Sequence, residues 1–158
     1  MDHPNLQRLR AFYEAFNRRD AAAMAELYAA DASFSDPAFP GLTGAEVPAM
    51  WASLCSSATD LRVELMAATA DETSGTAHWE AWYAFGPGKR PVHNVIHGTF
   101  TFRDGKVVAH TDGFDFWVWS RQALGAPGWL LGWSGFLRGK VQAQARQRLR
   151  GWMEKHPA

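Results

Sequence analysis

Four consecutive stretches between Leu61 and Trp119 alternate apolar and polar residues with a period of two: LRVELMAATA, TAHWEAWYAF, VHNVIHGTFTF and KVVAHTDGFDFWVW. Each is rich in β-forming residues, so each predicts a strand with one buried and one exposed face. Turn signals separate them: Asp71-Glu72, then GPGKRP, then Asp104-Gly105. The last has the residues of a two-residue hairpin turn. Links this short join neighbours as antiparallel pairs, which predicts a strongly curved meander of four long strands. The apolar face of such a sheet has to be covered, and only the segments ahead of it and behind it are left to do so.

The segment ahead is helical in pattern. Leu6, Leu9, Phe12, Tyr13 and Phe16 fall at helical spacing over residues 5–18. Asp20 suits the N-cap of the alanine-rich run AAAMAELYA. A brief extended piece, ASFS, and a turn, DPAFPG, follow. Thr43 and Glu46 have the spacing of a capping box for a third helix through Leu54, with Pro48 in its first turn. The fold expected is α+β: a cone-shaped roll of strongly curved antiparallel sheet packed against three N-terminal helices, with an extra C-terminal helix. The interior of the cone is the natural place for a small-molecule site.

Charge divides the chain. The 158 residues carry 16 basic and 16 acidic side chains, which gives no electrostatic reason to expect a nucleic-acid partner. Residues 1–120 hold nine Lys/Arg against fifteen Asp/Glu, whereas residues 121–158 hold seven against one. The C-terminal basic helical extension, 121–158, is therefore expected to dock on the acidic body or on a partner subunit. Its helix, with Leu137, Val141, Ala145, Leu149 and Trp152 at spacings of three or four, is also of a kind that lies on membranes. One cysteine, Cys55, excludes an internal disulfide. No cofactor or metal is expected, because the histidines at 78, 93, 97 and 110 match no ligand motif and divide between strand faces. The absence of a leader or a long apolar run gives a cytoplasmic, soluble protein as the expectation. Eight tryptophans call for an aromatic-lined pocket or an interface.

Strand parity selects the inward residues. Ile96, Gly98, Phe100 and Phe102 form the apolar set of the third strand, leaving His93, His97 and Thr99 outside. In the fourth, Val108, His110, Asp112, Phe114 and Phe116 share a face unless a bulge shifts the phase. Burying Asp112 unpaired would raise its pKa or cost several kcal/mol, and either outcome suits proton transfer. Asp36, in FSDP, is a second candidate; the bland reading of an Asp-Pro pair is a turn. His110 and Asp112 have their own bland reading, a polar pair that holds a strand. Asp115 falls in the outer set and reads as an anchor for the tail. Trp117 and Trp119 look exposed on the opposite face to Phe116, and with His93 and His97 they suggest a homodimer.

The pieces FYEAFNRRDAAAMAELYAADASFSDPAFPGLTG, GTFTFRDGKVVAH and HTDGFDFW resemble the nuclear transport factor 2-like superfamily, in its SnoaL-like and ketosteroid-isomerase-like branches. The resemblance covers residues 5–119 and implies a SnoaL-like domain over 1–120. It places Asp36 at the general base of the isomerases and Asp112 at the catalytic aspartate of SnoaL-type polyketide cyclases. His110 then orients substrate or Asp112, or stabilises an oxyanion. The isomerases' oxyanion tyrosine falls on Phe12, beside Tyr13, and their second aspartate falls on Gly98, so both donors are replaced. Epoxide hydrolases of the fold use aspartates with an arginine between them, and the inward strand faces show no such arginine.

The resulting expectation is a cofactor-free isomerase or cyclase-type lyase that transfers protons on a small apolar carbonyl compound. Asp36, Asp112 and His110 are its catalytic candidates, and Phe12, Tyr13, Trp51, Phe100 and Phe114 its ligand-binding ones. The alternative is a non-catalytic small-ligand-binding or structural protein of the same fold.

Overall fold

The computed structural model describes residues 2–157. Helix α1 (Pro4–Asn17) buries Leu9, Phe12, Tyr13, Ala15 and Phe16 along one side. Asp20 caps α2 (Ala21–Ala25), accepting the Ala23 N–H at 3.1 Å. The alanine-rich run does not stay helical to its end, because Tyr28 already opens β1 (Tyr28–Ser35). After the DPAFPG turn a two-residue strand, β2 (Leu42–Thr43), runs back along β1. Helix α3 (Glu46–Ser57) follows, with Pro48 in its first turn and Glu46 accepting the Thr43 N–H at 3.1 Å.

The four alternating stretches form β3 (Arg62–Ala70), β4 (Ser74–Phe85), β5 (Arg90–Arg103) and β6 (Lys106–Gly113). Asp104 and Gly105 close the β5–β6 hairpin at φ of 52° and 79°, the left-handed pair that a tight hairpin turn requires. The six strands are ordered β2-β1-β6-β5-β4-β3. All neighbours are antiparallel except β1 and β6, which are parallel.

This corrects the expected cone-shaped roll. The sheet is mixed, and it is open, with β2 at one edge and β3 at the other rather than curled upon itself. Two helices precede it instead of three, since α3 lies between β2 and β3. Local alternation cannot reveal a parallel partner supplied from far along the chain, and β1 is such a strand. The last strand is also shorter than its pattern. It stops at Gly113, and Asp115 caps a helix, α4 (Phe116–Leu124), by accepting the Val118 N–H at 3.1 Å. Two further helices, α5 (Ala126–Leu131) and α6 (Gly135–Lys155), replace the single one expected.

Along β5 the buried residues are Val92, Asn94, Ile96, Gly98, Phe100 and Phe102, an unbroken alternation. In β6 a bulge at Val108, between the pairs Thr101–Ala109 and Phe102–Val107, puts Val107 inside with His110 and Asp112. The main core joins Leu9, Phe12, Phe16, Trp51, Trp79 and Phe100 between helices and sheet. Each of these side chains contributes roughly 1.5–3 kcal/mol by burial. The basic helix α6 lies on its own body: Leu149 enters the core, Gln142 Nε2 donates to the Pro37 carbonyl at 3.0 Å, and an Arg146 guanidinium N–H donates to the Pro40 carbonyl at 2.7 Å. No helix among the described residues is long and apolar enough to cross a membrane.

Candidate active site

Between the inner face of the sheet, α3 and α6 lies a cavity of about 630 Å³. Trp51, Trp79, Tyr83, Phe114 and Trp119 are among its walls, Asp60 is among its lining residues, and both Asp36 and Asp112 open onto it. The parallel pairing of β1 with β6 is what unites the two acids. Ser35 is in register with Thr111, so the next residue on each strand, Asp36 and Asp112, emerges at the same end of the pair.

Asp112 is set by a chain of buried hydrogen bonds. Trp51 Nε1 donates to the Tyr28 hydroxyl at 2.9 Å, and that hydroxyl lies 2.8 Å from His110 Nδ1. His110 Nε2 lies 2.8 Å from Asp112 Oδ1. An indole N–H only donates, so the Tyr28 oxygen accepts from Trp51 and its one proton points to Nδ1. This assigns the His110 proton to Nε2, from which it is donated to the Asp112 carboxylate. Burial, and then the nearby Asp112 charge, push the Tyr28 phenol well above its ordinary range, against the lowering effect of the Trp51 bond; it stays a protonated donor. Asp112 Oδ2 has no protein hydrogen-bond partner among the described residues.

Gly98 makes room for this pair. A Cβ there would stand 2.8 Å from Asp112 Oδ1 and 3.4 Å from His110 Nε2. The gap in the apolar set of β5 thus serves the His–Asp bond.

Asp36 has two functions at once. Its Oδ1 accepts the Ala38 and Phe39 N–H groups at 2.7 and 2.6 Å, closing the turn that its neighbour Pro37 suggested. The carboxyl also lines the cavity. Burial pushes it from 3.8 to about 6; the Phe39 N–H opposes the rise, the Asp112 charge adds to it, and the Ala38 N–H and His110 oppose it more weakly.

The predicted site residues separate into wall and support. Asp36, Asp112, Trp51 and Phe114 line the cavity. His110, 1% exposed, sits behind Asp112, packed between Phe34 and Phe100 at centroid distances of 4.9 and 4.1 Å. Phe12, Tyr13 and Phe100 are core residues behind the wall. The Tyr13 hydroxyl is buried without a partner. Trp119, expected on the surface, is buried, lines the cavity and donates to the Tyr83 hydroxyl at 2.8 Å. Burial raises Tyr83 to about 12, the Trp119 bond opposing and the Asp36 charge adding. Asn94, a cavity residue with no side-chain hydrogen bond to protein, was not anticipated; its inward parity with Ile96 was the available signal. His78, His93 and His97 lie on the outer face, where Glu80 pairs with His93 at 2.7 Å and with His78 at 3.1 Å.

The chain is an α+β domain whose sheet and helices frame a cavity lined by aromatic rings and by the acids Asp36, Asp60 and Asp112. Within it, the profile of the SnoaL-like domain matches residues 9–110, and the chain belongs to that family. Among solved structures, a candidate polyketide cyclase from Xanthomonas campestris pv. campestris is 26% identical, with a TM-score of 0.60 over 75% of this chain and 98% of that one. An LEH-like epoxide hydrolase from M. tuberculosis is 17% identical, with a TM-score of 0.65 over 77% and 90%. A protein with a ketosteroid isomerase-like fold from Catenulispora acidiphila, solved with trimethylamine, is 18% identical, with a TM-score of 0.66 over 77% and 94%. No curated protein matches the sequence.

Proposed function

We propose that the chain is a cofactor-free proton-transfer enzyme, an isomerase or cyclase-type lyase for a small apolar carbonyl compound. The observation that carries this reading is the shared cavity of Asp36 and Asp112. Asp112 is the base. Its Oδ1 is held by His110, and Oδ2 remains to take an acidic C–H proton from a carbon next to a carbonyl. His110 is a positioning residue, since it touches Asp112 and not the cavity. Asp36, with a pKa near 6, holds a proton over part of the neutral range and returns it to the substrate at a second carbon or at the oxygen.

With Phe12 and Gly98 at the two oxyanion positions of the isomerases, another donor has to meet the developing enolate. Protonated Asp36, which emerges beside Asp112, can supply it, while the Asn94 amide can hold a second polar group at the far end of the substrate. Gly98 pairs with Asp112, and Asn94 is four residues along the same strand, roughly 13 Å away between Cα atoms. A compound of two or three rings spans such a gap, and aromatic walls favour it. A neighbour described as a polyketide cyclase is compatible with substrates of that shape.

The test is proton exchange in D₂O followed by NMR, using cyclic ketones and β-keto esters of one to three rings. The native protein should accelerate exchange at the carbon next to the carbonyl, and Asp112→Asn should lower the rate at least about a hundredfold. No acceleration above buffer, alongside saturable quenching of tryptophan fluorescence by the same compounds, would replace catalysis with binding alone.

A further inference from the structure

The corner formed by α4 and α5 carries apolar side chains that no other described part of the chain covers. Leu130 is 70% exposed, Trp133 76% and Phe136 66%, with Trp117, Trp129 and Leu131 beside them. Helix α5 packs mainly on α4, where Gly128 lies so close that a Cβ would stand 2.0 Å from the Ser120 carbonyl oxygen. None of residues 126–136 lines the cavity. A folded chain seldom leaves so many aromatic rings in water without a partner.

Cations run through the patch. The Arg121 guanidinium lies 4.2 Å from the Trp117 ring and 4.5 Å from that of Trp129. Arg138 sits over Phe116 at 5.1 Å and Lys140 over Phe136 at 5.2 Å. Between Asp115 and Glu154 the sequence has six Lys/Arg and no acid. A two-fold dimer through this corner would set these cations against their own copies, because an isologous interface apposes identical surfaces. An anionic surface meets no such penalty. Tryptophans among cations, with leucine at the tip, are the composition that settles at the headgroup boundary of a bilayer.

We propose that this corner, Trp129 to Phe136 with Arg121, Arg138 and Lys140, is a docking surface for anionic lipid bilayers. Only the start of helix α6, with Phe136, Arg138 and Lys140, belongs to this surface; farther along, Leu149 is buried in the core of the body. The surface works independently of any chemistry in the cavity.

Co-sedimentation with vesicles of phosphatidylcholine alone, and of an equal mixture with phosphatidylglycerol, tests this. The native protein should bind the mixture at least about tenfold more tightly, less so as salt rises. The variant Leu130→Ser/Trp133→Ser/Phe136→Ser should lose about tenfold or more of that binding with an unchanged melting curve, because all three side chains are mostly in solvent. Arg138→Gln/Lys140→Gln should lose the preference for the mixture. Equal binding to both vesicles, binding to neither, or full binding by the triple variant overturns the proposal. A dimer in sedimentation velocity that the triple variant splits, without vesicle binding, assigns the patch to a second copy instead.

Discussion

Replacing Asp36 by asparagine should make the protein more stable at neutral pH, although the change alters a proposed functional residue. The Asp36 carboxyl stands near 6 in the folded chain against 3.8 as a free side chain, with burial as the main cause. The folded state therefore holds this proton more tightly than the unfolded state does. That preference favours folding fully below pH 3.8 and is lost as pH rises through 6, above which the native protein bears the whole cost of a charged, buried acid. A gap of about two units corresponds to about 3 kcal/mol, and partial solvent access brings the expected range to about 1–3 kcal/mol. Asparagine matches the neutral acid in shape, and its carbonyl oxygen keeps the Ala38 and Phe39 N–H bonds. Urea unfolding of both proteins, followed by tryptophan fluorescence in steps from pH 4 to pH 8, reads the difference. The variant should gain on the native protein between pH 4 and 7 and hold a constant lead above. A lead that does not change with pH, or a variant less stable throughout, would refute the assignment of a raised Asp36 pKa and with it the proton-return role.

Two further predictions concern the buried chain behind Asp112. Gly98→Ala should cost about 1–3 kcal/mol in thermal or urea unfolding, because the new methyl stands 2.8 Å from Asp112 Oδ1, and it should reduce proton exchange with the His–Asp bond displaced. Tyr28→Phe leaves Trp51 Nε1 and His110 Nδ1 without their partner at a cost of about 1–3 kcal/mol. Nitrogen NMR of labelled His110 should then show the proton no longer confined to Nε2; an unchanged spectrum would mean that Tyr28 does not set the tautomer.

Much of the inner surface was legible because a strand's side chains alternate regardless of what packs on them. Asn94, Ile96, Phe100 and Phe102 follow that parity without a fault, and His110 and Asp112 keep it on their own strand. The pattern was less reliable where a competing local signal won. Beyond Gly113 the alternation of GFDFWVW continues on paper, but the Asp115 carboxylate takes the Val118 N–H and starts a helix. That single cap turns Trp119 from an expected surface residue into part of the cavity wall. The Val108 bulge similarly exchanged Val108 for Val107 in the core while leaving the site's phase intact.

Composition and period by themselves determined that this chain would build an α+β domain with an aromatic interior and a basic tail, and that His110 and Asp112 would face inward. These follow from local stereochemistry and need no distant partner. Tertiary structure decided the rest. The parallel pairing of β1 with β6 brought Asp36 beside Asp112 across more than seventy residues of chain, and the docking of α6 supplied one wall of the cavity. Packing also sank His110 behind the wall as a support, because only the assembled core supplies Tyr28, Trp51 and Phe100 around its ring. A strand's pattern states which side a residue faces; which residues it meets there depends on contacts made across the whole sheet.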